Sequence, residues 1–256
     1  MRLARFVFPF LVAAACTASA VDSEMAAIPA GTYRPEFRGE KDAKEIAVAA
    51  FLLDRRPVTN GEFLDFVRAN PKWQRSQMKR LFAEDRYLAH WSGDLDLGTA
   101  RAAQPVTHVS WFAAKAFATW RGKRLPTTAE WERAAGAGFT SEDGAKDTEF
   151  QQAVLRWYGT PASDVLPDAG NGPANFFDIR DLHGLVWEWT SDFNSAIVTG
   201  DARGDSGLER QIFCGAGSLG ARDRADYAAF MRFGFRSSLK ASYTVHNLGF
   251  RCARNL

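Results

Sequence analysis

The side chains best suited to redox or metal chemistry in this 256-residue sequence are three cysteines and four histidines. Cys16 lies in an apolar N-terminal stretch, so Cys214 and Cys252 are the cysteines of the main body of the chain. In an oxidising compartment such a pair favours a disulfide, because exported free thiols are prone to oxidation. Two unrelated buried thiols are the alternative.

The histidines are widely separated in sequence, at His90, His108, His183 and His246. No two of them have the i, i+4 spacing or the His-x-His pattern that is typical of a metal site built on one element. A histidine metal site would therefore have to be assembled by folding. The sequence also has no Gly-x-Ser-x-Gly, P-loop or dinucleotide-binding motif, which argues against the corresponding enzyme classes.

A charged run near the C-terminus is the remaining polar cluster. Arg222, Asp223, Arg224 and Asp226 lie almost side by side, and Arg232 and Arg236 follow them. Such a run predicts either a pocket for an anionic or polar ligand, or a solvated loop with local ion pairs that contribute little energy. The sequence leaves both interpretations open.

The N-terminal residues have the form of a secretory signal peptide. Arg2 and Arg5 precede a short apolar run, and Ala18–Ala20 supplies the small residues that a signal peptidase requires. We therefore assign residues 1–20 to a signal peptide and 21–256 to one domain, and we expect a periplasmic or secreted protein. A lipoprotein anchored through Cys16 and a buried N-terminal helix are the alternatives.

The charge balance limits the partners of the exported protein. Removal of residues 1–20 takes away two arginines and no acid, which changes the formal net charge from +2 to zero. A neutral chain argues against nucleic acid and against an anionic membrane as the main partner. No later stretch is long and apolar enough to span a bilayer. An exported protein or a small-molecule substrate is the expected partner.

The elements that must position these side chains are short. Eight Trp and twenty Phe are spread over short apolar runs that Gly and Pro interrupt, which predicts a compact fold with much irregular structure. Capping residues predict helices that begin near Thr59, Ser110 and Thr127. Strands are predicted at residues 27–33, 45–53, 211–214 and 248–253. Residues 141–172 and 195–210 are predicted to be surface connections.

Five segments together match the motifs of one family. They occur in the family's order and cover nearly all of the chain after residue 20: Ile28–Tyr33, Pro57–Phe66, Pro105–Glu132, Asp181–Thr190 and Asn247–Cys252. On these residues the sequence resembles the formylglycine-generating-enzyme, or sulfatase-modifying factor, family. The resemblance implies an α+β fold of the duplicated C-type-lectin kind, with low regular secondary structure and long loops. Most of the matching motifs are expected to be signatures of the fold and not of chemistry.

The resemblance also implies a structural calcium ion in the turn after Asp181. The positions that match the family's ligands are Asp181, Gly184, Val186 and Glu188, which can supply carboxylate and main-chain carbonyl oxygens. This chain departs from the family at Leu185, where Asn is usual. A metal-free, hydrogen-bonded turn is the alternative.

The family's enzymes oxidise a substrate cysteine to formylglycine, and they hold copper(I) with two cysteines soon after a Gly-Gly-Ser motif. The matching motif here is Ala216-Gly217-Ser218, and no cysteine lies between Cys214 and Cys252. Thiolates suit copper(I), so we expect the copper–thiolate site to be absent. Cys252 matches a structural cysteine of the family, whose usual partner is replaced here by Ala118.

The candidate pocket therefore consists of other side chains, namely Ser218, Arg222, Asp226, His246 and Trp187. No catalytic residue or catalytic metal is assigned. By resemblance to members that serve siderophore (pyoverdine) maturation or accompany copper nitrite reductases, we expect a maturation or modification factor for another exported protein or a metabolite. An oxidoreductase whose site contains no cysteine is one kind of modification factor. The alternative is a non-catalytic binding module on a C-type-lectin-like scaffold.

Overall fold

The structure is a computed structural model that describes residues 24–35, 45–161, 163, 165–194 and 224–256. This part of the chain contains both helices and very short strands, separated by long irregular segments, as the predicted α+β class requires. The helices are α1 (Asn60–Ala69), α2 (Trp111–Trp120), α3 (Thr128–Ala135), α4 (Thr148–Tyr158) and α5 (Arg224–Ser238). The strands are β1 (Met25–Ile28), β2 (Gly31–Tyr33), β3 (Ile46–Val48), β4 (Phe51–Asp54), β5 (Trp187–Glu188), β6 (Leu248–Gly249) and β7 (Ala253–Asn255).

The main sheet joins the two ends of the described chain. Its antiparallel order is β1-β4-β7, so that Leu53 of the central strand lies opposite Ala26 on one side and Ala253 on the other. All four residues of β4 are buried. The strand predicted at residues 27–33 is divided by Pro29, which has no backbone N–H to donate to a ladder.

The three predicted helices are confirmed, and their first residues explain where they begin. Thr59 and Thr127 each form a capping box with the glutamate three residues later, Glu62 in α1 and Glu130 in α3. The Ser110 side chain caps α2 by accepting a hydrogen bond from the Ala113 N–H at 3.2 Å. These caps satisfy backbone donors that would otherwise lack partners at the start of each helix.

The core consists mainly of two apolar clusters. In the first, the rings of Phe63 and Phe117 stack at 5.7 Å, and Phe250 meets Phe117 edge to face at 5.4 Å. In the second, Trp131 of α3 packs with the buried side chains of the main sheet. The segment that leads into β5 lies between them, since Leu182 belongs to the second cluster and Trp189 to the first.

Two sequence expectations are wrong in this part of the fold. Residues 141–172 contain α4 instead of a continuous surface connection, because Asp147 caps this helix and its buried Phe150 and Val154 pack against Ala228 of α5. Residues 224–238 form α5 where only a charged run was predicted. The predicted strand at 211–214 lies outside the described residues. No helix within the described ranges is long and apolar enough to cross a bilayer.

Candidate functional site

The strand β5 directs alternate side chains into different parts of the molecule. The Trp189 indole is fully buried in the first cluster, and its Nε1 donates to the Val109 carbonyl at 2.9 Å. Trp187, two residues earlier, packs at the edge of the same cluster. Glu188, between them, points to the opposite side. The predicted alternation of two indoles and one carboxylate is therefore confirmed.

Glu188 forms a fully buried ion pair with Arg251, and both side chains have no solvent exposure. The Arg251 Nε and Nη2 donate to the two carboxylate oxygens at 2.8 to 3.0 Å, and the Trp131 Nε1 donates to Oε2 at 2.7 Å. The Arg251 guanidinium also donates to the carbonyls of Asp54 and Arg180. Because every buried charge has a partner, this pair can connect β5 to the main sheet without an unsatisfied group.

The turn predicted to bind calcium has the tight backbone that such a site needs. Asp181 has a φ of 60° and Gly184 a φ of 121°, and the Asp181 carboxylate accepts the N–H groups of Gly170 and Gly172. Glu188, however, accepts hydrogen bonds from three N–H groups, the Arg251 Nε and Nη2 and the Trp131 Nε1. A calcium ion at this carboxylate would have to replace one of these donors. Calcium binding by Asp181, Gly184, Val186 and Glu188 stays a prediction.

An aromatic cavity of about 250 Å³ opens beside Trp187. Trp157 and Tyr158, the last residues of α4, contact the Trp187 ring at 5.2 Å and 5.6 Å. Phe235 of α5 stacks on Trp187 with ring centroids 4.3 Å apart and an angle of 18° between the rings. Met231, also on α5, lines the cavity. Two helices that were not predicted from the sequence therefore supply much of its wall.

A buried ion cluster fixes α5 in this position. Glu132 of α3 accepts hydrogen bonds from Arg232 at 2.8 to 3.1 Å and from Arg236 at 2.6 Å. Burial raises the pKa of Glu132, but the two guanidinium groups outweigh burial and lower it from 4.5 to about 2. Arg232 and Arg236 therefore do not offer a pocket for an external anion. They are the internal counterions of Glu132.

A smaller cavity of about 160 Å³ adjoins the aromatic one, and Ser163 and Leu166 line both. Three of the four histidines, His90, His108 and His246, line this second cavity. His90 and His108 stack with ring centroids 5.4 Å apart. Among the described residues, no group of three or more His, Cys, Asp or Glu side chains is arranged to hold a metal ion. Folding therefore brings three histidines to one cavity, and the part of the chain that the structure describes adds no further metal-ligating group to them.

The hydrogen bonds of Asn60 define the state of His90. The Asn60 Nδ2 donates to the Arg101 carbonyl, so its Oδ1 is the acceptor for both Trp91 Nε1 and His90 Nε2. His90 therefore carries its proton on Nε2, and its buried Nδ1 has no hydrogen-bond partner within the described ranges. Burial, His108 and Arg75 lower the pKa of His90 to about 4. At neutral pH the ring is an uncharged acceptor.

His108 has the other tautomer. Its Nδ1 lies 3.2 Å from the Thr244 carbonyl, which can only accept, so the proton is on Nδ1. Burial lowers the pKa of His108 as well. The residue has a φ of 53°, a left-handed backbone conformation that is uncommon outside glycine. Strained residues cluster at functional sites, which makes this cavity a candidate part of one.

The two adjoining cavities together are termed the groove. Their lining shows which residues of the predicted pocket lie at one site. Trp187 lines the aromatic half and His246 the histidine half, and Asn247, next to His246, also lines the aromatic half. Ser218 and Arg222 lie outside the described residues. Asp226 belongs to α5, and its side chain is not described. The structure therefore places two of the five predicted residues at one site.

Cys252 is fully buried, and no disulfide partner for it lies among the described residues. Burial and the neighbouring Asp54 carboxylate raise the pKa of its thiol well above the usual value, which makes it unreactive at neutral pH. Cys214 lies outside the described residues, so its pairing with Cys252 stays a prediction.

A cavity of about 380 Å³ lies elsewhere and is lined by both signs of charge. The Lys123 ammonium pairs with Asp54 at 2.6 Å, and Arg56 forms two hydrogen bonds to Glu62. Arg121 pairs with Glu24 at 3.2 Å. These cations already have acidic partners, so the size of the cavity does not by itself make it a ligand site.

The fold and the groove define a class of protein: an α+β domain in which irregular segments between short elements carry the candidate site. The family described as "Sulfatase-modifying factor enzyme 1-like domain" matches residues 13–256. The chain therefore belongs to the sulfatase-modifying factor, or formylglycine-generating-enzyme, family, as the sequence motifs predicted.

The named relatives include proteins called formylglycine-generating enzyme and one called its inactive form. The "Inactive C-alpha-formylglycine-generating enzyme 2" of Bos taurus is 31% identical over 263 residues, which covers 87% of this chain and 83% of that protein. The "Formylglycine-generating enzyme" of Thermomonospora curvata is 33% identical over 222 residues, which covers 67% of this chain and 72% of that protein.

Other similar proteins differ more in length or shape. The "Serine/threonine-protein kinase pkn1" of Chlamydia caviae is 31% identical over 176 residues, and the match spans 67% of this chain but only 28% of that longer protein. Among solved structures, PvdO from Pseudomonas aeruginosa superimposes with a TM-score of 0.47 and 21% identity, over 91% of this chain and 94% of that chain.

Proposed function

We propose that this protein is an exported maturation or modification factor for another exported protein or a metabolite, and that it has no copper–thiolate formylglycine-generating activity. The observation that carries the proposal is the absence of any cysteine between Cys214 and Cys252 in the sequence. A copper(I) site of the family's kind needs two thiolates close together. Cys252 is buried with a raised pKa, so it is poorly suited to replace either one.

The names of the relatives show that the family includes a protein without formylglycine-generating activity. One relative of similar identity is named as an inactive enzyme, and another is named as a formylglycine-generating enzyme. Overall identity therefore does not separate the two groups. The resemblance to the family's motif places Ala221 and Asp226, or Asp223 and Ala228 in the alternative register, where the family's enzymes carry cysteines.

The groove supports a role in recognising a ligand or a side chain of a partner. Neither half reaches the roughly 300 Å³ of an ordinary small-molecule site, but the two halves adjoin. One half offers the rings of Trp157, Tyr158 and Trp187, and the other offers the neutral imidazoles of His90 and His108. This combination suits a substrate group with an apolar part and hydrogen-bond donors.

The second candidate function is a non-catalytic binding module. The buried ion pairs Glu188–Arg251 and Glu132–Arg232 stiffen the scaffold around the groove, as a rigid binding site requires. A redox metal in the purified protein, or turnover of an oxidisable substrate, would favour the modification factor. Stoichiometric capture of one exported partner without chemical change would favour the binding module.

The test compares exported proteins and metabolites from cells that have or lack this protein, by mass spectrometry. We expect at least one exported species whose mass changes and is restored by the wild-type protein. His246→Ala should fail to restore it, since His246 is exposed in the groove and its replacement should leave the fold intact. Lys240→Ala, at an exposed position not assigned to the groove, is the matched control. Identical mass profiles in both strains would contradict the modification role.

A further inference from the structure

An exposed aromatic surface lies on the side of the molecule formed by α1, α2 and the segment after α1. The side chain of Leu81 is 75% exposed, that of Phe82 38% and that of Trp120 41%. Phe82 contacts Trp73 at 6.4 Å and Phe112 at 5.5 Å between ring centroids. The buried Phe66 ring connects Trp73 to Trp120, at 6.1 Å and 5.6 Å. The exposed aromatic side chains are therefore linked by ring contacts, partly through the buried Phe66.

The segment that presents Leu81 and Phe82 is held in place by specific hydrogen bonds. The Tyr87 hydroxyl donates to the Trp73 carbonyl at 3.1 Å, and the Phe82 N–H donates to the Lys79 carbonyl at 2.9 Å. The Arg75 guanidinium donates to the Trp91 carbonyl at 3.0 Å. An exposed leucine at the tip of an anchored turn has lost conformational freedom without burying its surface. That exposure is expected where another surface covers the residue.

Cations surround these apolar side chains. Residues 66–83 contain five basic residues and no acid, namely Arg68, Lys72, Arg75, Lys79 and Arg80. Arg68 and Arg80 pair with nearby aspartates, whereas Lys72 and Lys79 are exposed and form no ion pair with the described residues. The near-neutral charge of the whole chain argues against an anionic membrane as its main partner, but it does not exclude a local basic surface, and between Asp65 and Glu84 the charge is only positive.

We propose that this basic and aromatic surface, Trp73 to Phe82 with Phe112 and Trp120, binds the anionic headgroups of a lipid bilayer. Tryptophan and phenylalanine suit the interface between headgroups and acyl chains, and flanking lysines and arginines are attracted to anionic lipid. None of the three cavities described above is lined by Leu81, Phe82 or Trp120. Apolar side chains that stand outside those cavities fit a flat lipid surface better than the side-chain anchors of a protein partner.

The test is co-sedimentation of the purified protein with vesicles of phosphatidylglycerol mixed with phosphatidylcholine, and with vesicles of phosphatidylcholine alone. We expect binding to the anionic vesicles only, weakened by added salt. Leu81→Glu should lower the partition coefficient by more than about tenfold, because it withdraws one leucine and adds a charge of the same sign as the lipid. Lys72→Glu combined with Lys79→Glu should lower it by a similar factor.

Leu256→Glu is the matched control, because Leu256 is 71% exposed but lies outside the surface. It should bind as the wild type does. Residues 1–23 are common to all variants and cannot cause a difference between them. Equal loss in Leu81→Glu and Leu256→Glu, or equal binding to neutral vesicles, would overturn the proposal. Binding to soluble polyglutamate but not to anionic vesicles would also overturn it, in favour of an acidic protein partner.

Discussion

Replacement of Glu132 by glutamine tests whether the buried ion cluster holds α5 over the groove. The substitution keeps the shape of the side chain and removes the charge that Arg232 and Arg236 share. The exposed fractions of the three side chains are only 6%, 11% and 10%, so solvent cannot replace the lost counterion. Two buried guanidinium groups would be left without their carboxylate.

The expected magnitude follows from two independent arguments. The pKa of Glu132 falls from 4.5 to about 2 on folding, and at about 1.4 kcal/mol per pH unit this shift corresponds to roughly 3 kcal/mol. Removal of one partner from a buried pair generally costs about 3–5 kcal/mol. We therefore expect Glu132→Gln to lower the free energy of unfolding at neutral pH by about 3 kcal/mol.

The direction of the pKa shift determines how the stabilisation by Glu132 changes with pH. Because the pKa of Glu132 is depressed in the folded protein, its contribution is complete above pH 4.5 and is lost as the pH falls towards about 2. The measurement is urea unfolding of both proteins at several pH values. The difference between them should be largest at neutral pH and should shrink through the acid range.

Glu142→Gln is the matched control, since Glu142 pairs with Arg133 but its side chain is 50% exposed. Its loss should cost no more than about 1 kcal/mol. If Glu132→Gln proves as mild as Glu142→Gln, or if its effect does not depend on pH, the ion cluster does not hold α5 as described.

Three further predictions concern the calcium turn, export and the cysteines. If calcium binds at the turn, chelation should lower the melting temperature of the wild type but not of Asp181→Ala, by mass action; equal melting with and without chelator would leave a metal-free turn. Mass spectrometry of the exported protein should show a chain that begins near Val21, whereas a retained Met1 or a lipidated Cys16 would refute the signal assignment. Alkylation of the exported, unfolded and unreduced protein should leave Cys214 and Cys252 unmodified; two labelled thiols would exclude the disulfide.

Local signals in the sequence were sufficient for much of the fold. The capping boxes at Thr59 and Thr127 lie within four residues of chain, so their helices could be predicted directly. The alternation of Trp187, Glu188 and Trp189 likewise predicted which side chains share a face. In these cases the sequence contains both partners of the interaction within a few positions.

The missed features depend on contacts between distant residues. Arg232 and Arg236 look like part of a solvated charged run until α5 brings them to Glu132, about a hundred positions earlier in the chain. Histidines at positions 90, 108 and 246 share a cavity only after folding, and no local sequence pattern predicts this arrangement. The groove was therefore only partly predictable, through Trp187 and His246.

The loss of the copper–thiolate reaction is tested most directly by incubating the purified protein with a cysteine-containing sulfatase peptide, copper and oxygen. The formylglycine-generating enzyme of Thermomonospora curvata, treated identically, serves as the positive control. Mass spectrometry of the peptide should show conversion by the control enzyme and an unchanged cysteine with this protein. Conversion by this protein that disappears in Cys214→Ser or Cys252→Ser would contradict the account and restore the ordinary activity of the family.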